Sequence, residues 1–313
     1  MEKLLDLEEI VLLPSVRNLG ECDAIPDKLP LITPPEVVDM NNYGLWKKNG
    51  IEPVFPIDEL KNNLDFRLKA CTHMFTEFTP EEIIKIFLDG RNRVPKNSLL
   101  MLYMSVENVG SPGIYNLCKG LKSIYGKQVS IMLGDLRVPE QLEEFTKIGV
   151  DYVVFSSKNL FDTNDFFFYP VGTLLIEIEK LRTKNSLYPQ WSKVIIKDIN
   201  GIENIIKALA LGADYVMPVL HNIIEAAGKT YYKYDGDDDK KRGEYIEIDQ
   251  EKGVRPAVGQ FRNISRSSFS WRVLDTSLET WIDKFKHASK RVWTFVGATT
   301  WGELRKNVHY GRI

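Results

Sequence analysis

One strand–helix–strand pattern occurs twice in this chain, and it constrains the fold more than any other feature. In Lys193–Leu220, KVIIKDINGIENIIKALALGADYVMPVL, the run Val194–Ile196 is apolar and β-branched, as a buried parallel strand is. Asp198, Asn200 and Gly201 follow where that strand should turn. Ile202, Ile205, Ile206 and Leu209 then recur at helical spacing, and Gly212 is placed for a left-handed cap. Asp214–Met217 opens the next strand, which Pro218 ends. In Gln128–Phe155, QVSIMLGDLRVPEQLEEFTKIGVDYVVF, the order repeats: strand Val129–Leu133, polar turn Gly134–Asp135, and a helix with Pro139 in its first turn. Leu142 and Phe145 point inward there, Gly149 caps, and Asp151–Phe155 is the next strand. The copies end alike, KIGVDYVV against ALGADYVM. Two such units predict a parallel sheet with right-handed crossovers, and repetition around a ring predicts a (β/α)8 TIM barrel. Ligands of such sheets sit at the carboxyl ends of the strands.

The length fits that architecture. A chain of 313 residues somewhat exceeds the roughly 250 typical of the barrel, so one domain over 1–313 with an insertion is expected. The insertion is 225–270, polar, glycine-dotted and flap-like; loops that long in compact domains are functional or mobile. Within it, Glu244–Asp249 alternates as a small hairpin does. Elsewhere, Leu7–Pro14 reads as a strand lying over the barrel floor and Leu29–Thr33 as the first barrel strand. Tyr43–Asn49 reads as a helix, Val54–Phe55 as a strand and Pro80–Leu88 as a helix. Ser98–Ser105 is a buried strand, followed by helices over Pro112–Tyr125, Val171–Leu181, Leu278–Ser289 and Trp301–Lys306. Phe166–Phe168 fill the barrel mouth or contact another chain, and the late tryptophans are core or interface.

A net charge of −2 implies no long-range attraction to nucleic acid or anionic membrane. Lys240–Arg242 directly follows Asp237–Asp239 and reads as a solvated loop. Cys22, Cys71 and Cys118 are far apart, the four histidines share no ligand spacing, and no metal site is expected. An acidic amino terminus and the lack of a long apolar run predict a cytoplasmic protein without a membrane span.

Several segments resemble the IMP dehydrogenase / GMP reductase family. LEEIVLLPS (Leu7–Ser15) is similar to its D-D-V-L-L-x-P, and IMLGDLRVPEQLEEFTKIGVDYV (Ile131–Val153) to I-M-A-G-N-V-x-T…G-A-D. IIKDINGIENIIKALALGADYVM (Ile195–Met217) resembles I-x-A-D-G-G-I…A-K-A-L-A-x-G-A-D-x-V-M, and YYKYDG (Tyr231–Gly236) resembles Y-K-x-Y-R-G. TFVGATTWGELRKNVHYGRI (Thr294–Ile313) resembles the closing Y-x-G-A…L…E-L…F-x-R-I. The tandem regulatory insert of most IMP dehydrogenases is missing, so the outline is that of GMP reductase. The resemblance implies a TIM barrel, a homo-oligomer (commonly a tetramer), and hydride transfer between NAD or NADPH and a purine nucleoside monophosphate through a cysteine adduct.

The chain departs from that pattern where the chemistry lies. The family's G-x-G-P-G-S-x-C-T-T corresponds to Phe155–Asn164, which puts Asp162 at the cysteine and Thr163 beside it. No cysteine follows Cys118, and a carboxylate is a poor nucleophile toward a purine carbon. For the substrate, the resemblance nominates Asp198 for the ribose hydroxyls, Asn200 and Gly201 for the phosphate, and Tyr234 and Gly236 beside it. On the nicotinamide side it nominates Asn108, next to Glu107, and Asp135. Pro218 replaces a phosphate-binding glycine and has no N–H to give, and Asp237–Asp239 would repel a dianion. Arg255–Pro256 is similar to an arginine-containing flap over a short match, and the solvated-loop reading is preferred. Three readings follow: a nucleotide-binding homologue that has lost the reaction, with no cofactor; a divergent active NAD(P)-dependent oxidoreductase drawing a thiolate from Cys71 or Cys118; or a structural or re-purposed barrel with Asp135, Asp162 and Asp198 as its acids.

Overall fold

The structure, a computed structural model, describes residues 5–14, 25–38, 43–56, 74–88, 99–105, 111–156, 169–184, 190–218, 231–233, 245–249, 253–257 and 278–312. It is a mixed α/β fold built on β2 (Val54–Phe55), β3 (Phe75–Glu77), β4 (Leu100–Ser105), β5 (Val129–Leu136), β6 (Tyr152–Ser156), β7 (Lys193–Ile199) and β8 (Tyr215–Pro218). These form one seven-stranded sheet in sequential order, every pair parallel. Helix α1 (Tyr43–Lys48) precedes β2; α2 (Pro80–Ile83), α3 (Pro112–Tyr125), α4 (Glu140–Lys147), α5 (Val171–Lys184) and α6 (Ile202–Ala210) each lie between successive strands from β3 to β8, and α7 (Leu278–Val296) and α8 (Trp301–Asn307) follow.

The two sheet edges meet a common segment. Leu31 bridges Val216 of β8, and Ile32 bridges Glu52 just before β2. The Ile32 N–H donates to the Val216 carbonyl at 3.0 Å, and the Thr33 N–H donates to that of Glu52 at 2.9 Å. A flat sheet would hold strands ~4.8 Å apart along a line. Here Ile32, Val54, Phe75, Tyr103, Met132, Val154, Ile195 and Met217, one from 30–33 and one from each strand, form a single buried cluster. The sheet is therefore strongly curled around an apolar interior. Alternation sends the intervening residues outward: Leu102, Ile131, Val153 and Ile196 share the outer core with Leu121, Leu142, Leu175 and Ile206 of the helices. The helices obey local rules. Ser111 caps α3 by accepting from the Ile114 N–H, and Thr79 with Glu82 makes a capping box on α2.

Several sequence expectations change. Leu7–Glu9 is a 3-10 turn, and β1 (Ile10–Leu13) pairs antiparallel with β12 (His309–Arg312). This ribbon does not cover a barrel floor. Leu5 accepts from the Thr173 N–H of α5 at 2.9 Å, and Lys207 of α6 donates to the Leu7 carbonyl at 3.2 Å. Gly172 permits the contact, since a Cβ there would lie 2.6 Å from Ile10 Cδ1 and 2.7 Å from the Leu5 carbonyl oxygen. Pro80–Leu88 is one α turn that widens into a π-helix over Ile84–Leu88. α7 continues past Ser289 to Val296, because Phe285, Ser289, Trp293 and Val296 extend one buried face. Trp281 and Trp293 are core, and Phe285 stacks on Trp301 at 6.0 Å. In the insertion, β10 (Tyr245–Asp249) lies between β9 (Tyr231–Lys233) and β11 (Gly253–Ala257) in an antiparallel sheet. Arg255–Pro256 thus belongs to a strand, with Arg255 opposite Glu247, and not to a loop. No described helix is long and apolar enough to cross a membrane.

Candidate functional site

The inner face of the sheet is layered. At the strand amino ends, Met101, Tyr152 and Tyr215 pack under the apolar middle cluster. Lys193 Nζ lies 5.5 and 5.6 Å from the ring centres of Tyr152 and Tyr215. Burial, reinforced by Tyr215 and neighbouring carboxylates, pushes the Tyr152 phenol up to about 12. The shared Asp-Tyr dipeptide of the two repeats is explained here. Asp151 Oδ2 accepts from Lys122 Nζ at 2.6 Å and the Ile131 N–H at 2.7 Å. Asp214 Oδ2 likewise accepts from Arg182 Nη2 and the Val194 N–H, both at 2.8 Å, while Arg305 holds its other oxygen at 3.2 Å. Each aspartate ties the start of one strand to the preceding one, and each tyrosine turns inward beside it.

The carboxyl ends differ entirely. Two residues beyond each member of the middle cluster, the inward positions carry Glu77 on β3, Ser105 on β4, Ser156 on β6 and Lys197 on β7. On β5 that position is Gly134, where a Cβ would lie 2.8 Å from Val154 Cβ, and Asp135 follows through a cis peptide. The pairing register shifts between Leu133 and Leu136 and again between Lys197 and Ile199. Both acids nominated in the repeats therefore sit in strand irregularities, which re-aim side chains. They are strand residues, not turn residues as expected, since β5 runs to Leu136 and β7 to Ile199.

The result is two polar contacts at the strand carboxyl ends. Lys197 Nζ and Asp135 Oδ2 are 3.5 Å apart, reaching across β6. Ser156 Oγ donates to Asp198 Oδ2 at 2.9 Å. Asp198 has φ 66°, a left-handed conformation. Below them Tyr103 is fully buried, and its hydroxyl makes no hydrogen bond to a described residue, although the Ser105 side chain is close by. Burial raises its pKa; Lys197 works against that, and Asp135 and Glu77 add to it. Gly201, with φ 80°, then leads into α6 as its N-cap and, being glycine, gives it no side-chain cap.

Of the residues nominated from sequence, Asp135, Asp198, Asn200 and Gly201 come together at the carboxyl ends of β5 and β7. Asp162, Thr163, Asn108, Tyr234 and Gly236 lie outside the described residues, as do Phe166–Phe168, Cys22 and Cys71. Cys118 is not a source of thiolate: it lies buried on α3, and burial pushes its thiol up to about 12 despite Lys122 nearby. Among the described residues no group of three or more His, Cys, Asp or Glu could hold a metal. A groove of about 520 Å3 between α5, α6, α8 and β12 lies at the helix carboxyl ends, away from this layer. Sequence reasoning missed Lys197, Tyr103 and Ser156. Their signal was alternation, since Lys193, Ile195 and Lys197 share one face of a strand.

Comparison with protein-family models and with curated proteins finds no match.

Proposed function

We propose that the chain is a (β/α)8 barrel of the IMP dehydrogenase / GMP reductase type. It binds a purine nucleoside monophosphate at the strand carboxyl ends and has lost hydride transfer. The observation that carries this reading is the turn Asp198–Gly201. An inward-leaning carboxylate, held by Ser156, is followed by a positive-φ glycine at an uncapped helix start. A carboxylate suits a ribose diol, and the N–H groups of a helix start suit a phosphate. Segment 30–33, bridging both sheet edges, supports reading it as the eighth strand of a closed barrel. The loss of hydride transfer is supported by the chemistry of the thiols. Cys118 is suppressed and remote, and no cysteine follows it in the chain.

The test is thermal unfolding with IMP, XMP, GMP or AMP at millimolar concentration, each with and without NAD or NADPH. One monophosphate is expected to raise the midpoint, by about 2.7 kcal/mol at a hundredfold excess over its Kd. Asp198→Ala is expected to lose that shift, and the reduced-cofactor absorbance is expected to stay flat. No shift with any monophosphate would end the nucleotide reading; steady turnover would end the claim of lost chemistry.

A further inference from the structure

We propose that Lys197 is a carbonyl-reactive amine. It condenses with an aldehyde or ketone held at the strand carboxyl ends and forms a protonated imine. Covalent capture of a carbonyl by an amine needs a nitrogen facing a sheltered cavity, a group to move its proton, and a donor to polarise the carbonyl oxygen. Lys197 faces inward, its side chain 17% exposed, at the mouth of an apolar interior. Asp135 lies 3.5 Å from its nitrogen. Tyr103 is a phenol kept protonated by burial, close enough to interact with Lys197, with the Ser105 side chain beside its hydroxyl.

Two departures from the family pattern meet in this one contact. Where the quoted motif I-M-A-G-N has asparagine, this chain has Asp135; where I-x-A-D has alanine, it has Lys197. Erosion alone gives scattered losses. Here two neutral positions on non-adjacent strands both carry charge, of opposite sign, and those charges are in contact. The aldehyde-reactive nitrogen must be unprotonated when it attacks. Passing a proton from Lys197 to Asp135, 3.5 Å away, converts the ion pair into an amine and a carboxylic acid.

The step balances. The amine lone pair forms an N–C bond while the carbonyl π pair moves to oxygen, which takes a proton from Tyr103 or Asp135. The nitrogen then gives one of its protons, through Asp135, to the hydroxyl, which leaves as water while the nitrogen lone pair forms the C=N bond. The sum is lysine ammonium plus carbonyl giving iminium plus water, with no change of oxidation state. The inference rests on the placement of the site and not on a nucleotide being its ligand.

The test is reductive trapping. The full chain is incubated with pyruvate or dihydroxyacetone phosphate, treated with sodium borohydride, and mapped by peptide mass spectrometry. Lys197 is expected to be converted to a secondary amine at least tenfold faster than Lys127 or Lys184, which are exposed reference lysines. Lys197→Arg is expected to remove that adduct, and Asp135→Asn and Tyr103→Phe to slow it at least tenfold. Labelling of Lys197 no faster than Lys127 would overturn the proposal, and this ratio needs only the unaltered protein. A purine-monophosphate shift without trapping at Lys197 overturns this inference and leaves the nucleotide reading intact; trapping without a shift does the reverse.

Discussion

β7 carries two lysines on its inner face, four positions apart, and they live in opposite chemical worlds. Lys193, at the amino end, lies over the rings of Tyr152 and Tyr215. Lys197, at the carboxyl end, faces a carboxylate beside a buried phenol. Ring faces hold a cation but neither give nor take a proton, so the lower lysine is a strut. The upper one has partners that exchange protons. The same division runs through the acids. Asp151 and Asp214 are saturated by backbone N–H groups and basic side chains, whereas Asp135 and Asp198 sit in strand irregularities at the open end. The amino end spends its charges on holding strands together; the carboxyl end pairs its charges with one another in the strand irregularities.

Breaking the amino end should cost the most stability. Asp214→Asn removes an acceptor from Arg182, Arg305 and the Val194 N–H, and is expected to cost about 3 kcal/mol in chemical denaturation. Burial opposes ionisation of Asp214, but Arg182 and Arg305 outweigh it and hold its pKa below the ordinary carboxylate range. Its contribution is therefore complete above that range and lost as pH falls through the folded-state value, so the variant should show a flatter acid limb. Ligand response at the other end should survive wherever the variant is folded. Lys197→Met takes the cation from a carboxylate whose other oxygen, Oδ1, is buried. A loss of about 1–2 kcal/mol is expected, mostly recovered in the double variant with Asp135→Asn, as a double-mutant cycle would measure. Lys193→Met should matter least, about 1 kcal/mol, with no effect on ligand-induced shifts. If Lys193→Met abolished those shifts and Lys197→Met left them whole, the division between the two ends would be wrong.

The regular units were legible because local and global preferences agree. Pro112–Tyr125 is helical to the residue, and Gly149 and Gly212 both adopt positive φ where caps were expected. The insertion hairpin followed from the alternation of Tyr245–Asp249. Less legible was Leu29–Thr33, whose part in the fold is two isolated bridges to opposite edges of the curled sheet, a property of tertiary placement and not of local pattern. The site divided in the same way. Asp198 stood out because it ends an apolar strand before glycine. Lys197 did not, since a lysine after β-branched residues reads as a strand end reaching solvent. Only the irregularity at Asp135, which brings its carboxylate across β6, gives that lysine its partner. The phenol of Tyr103 was hidden inside SLLMLYMS, where a tyrosine looks like one more core residue.

Hydrogen–deuterium exchange with and without IMP, XMP and GMP tests most directly whether the carboxyl ends are the working face. Added nucleotide should slow exchange in peptides spanning 131–137 and 193–205 and leave the groove residues 176–184 and 305–310 unchanged. Protection confined to that groove, or none in 193–205 with any of the three nucleotides, would contradict the account.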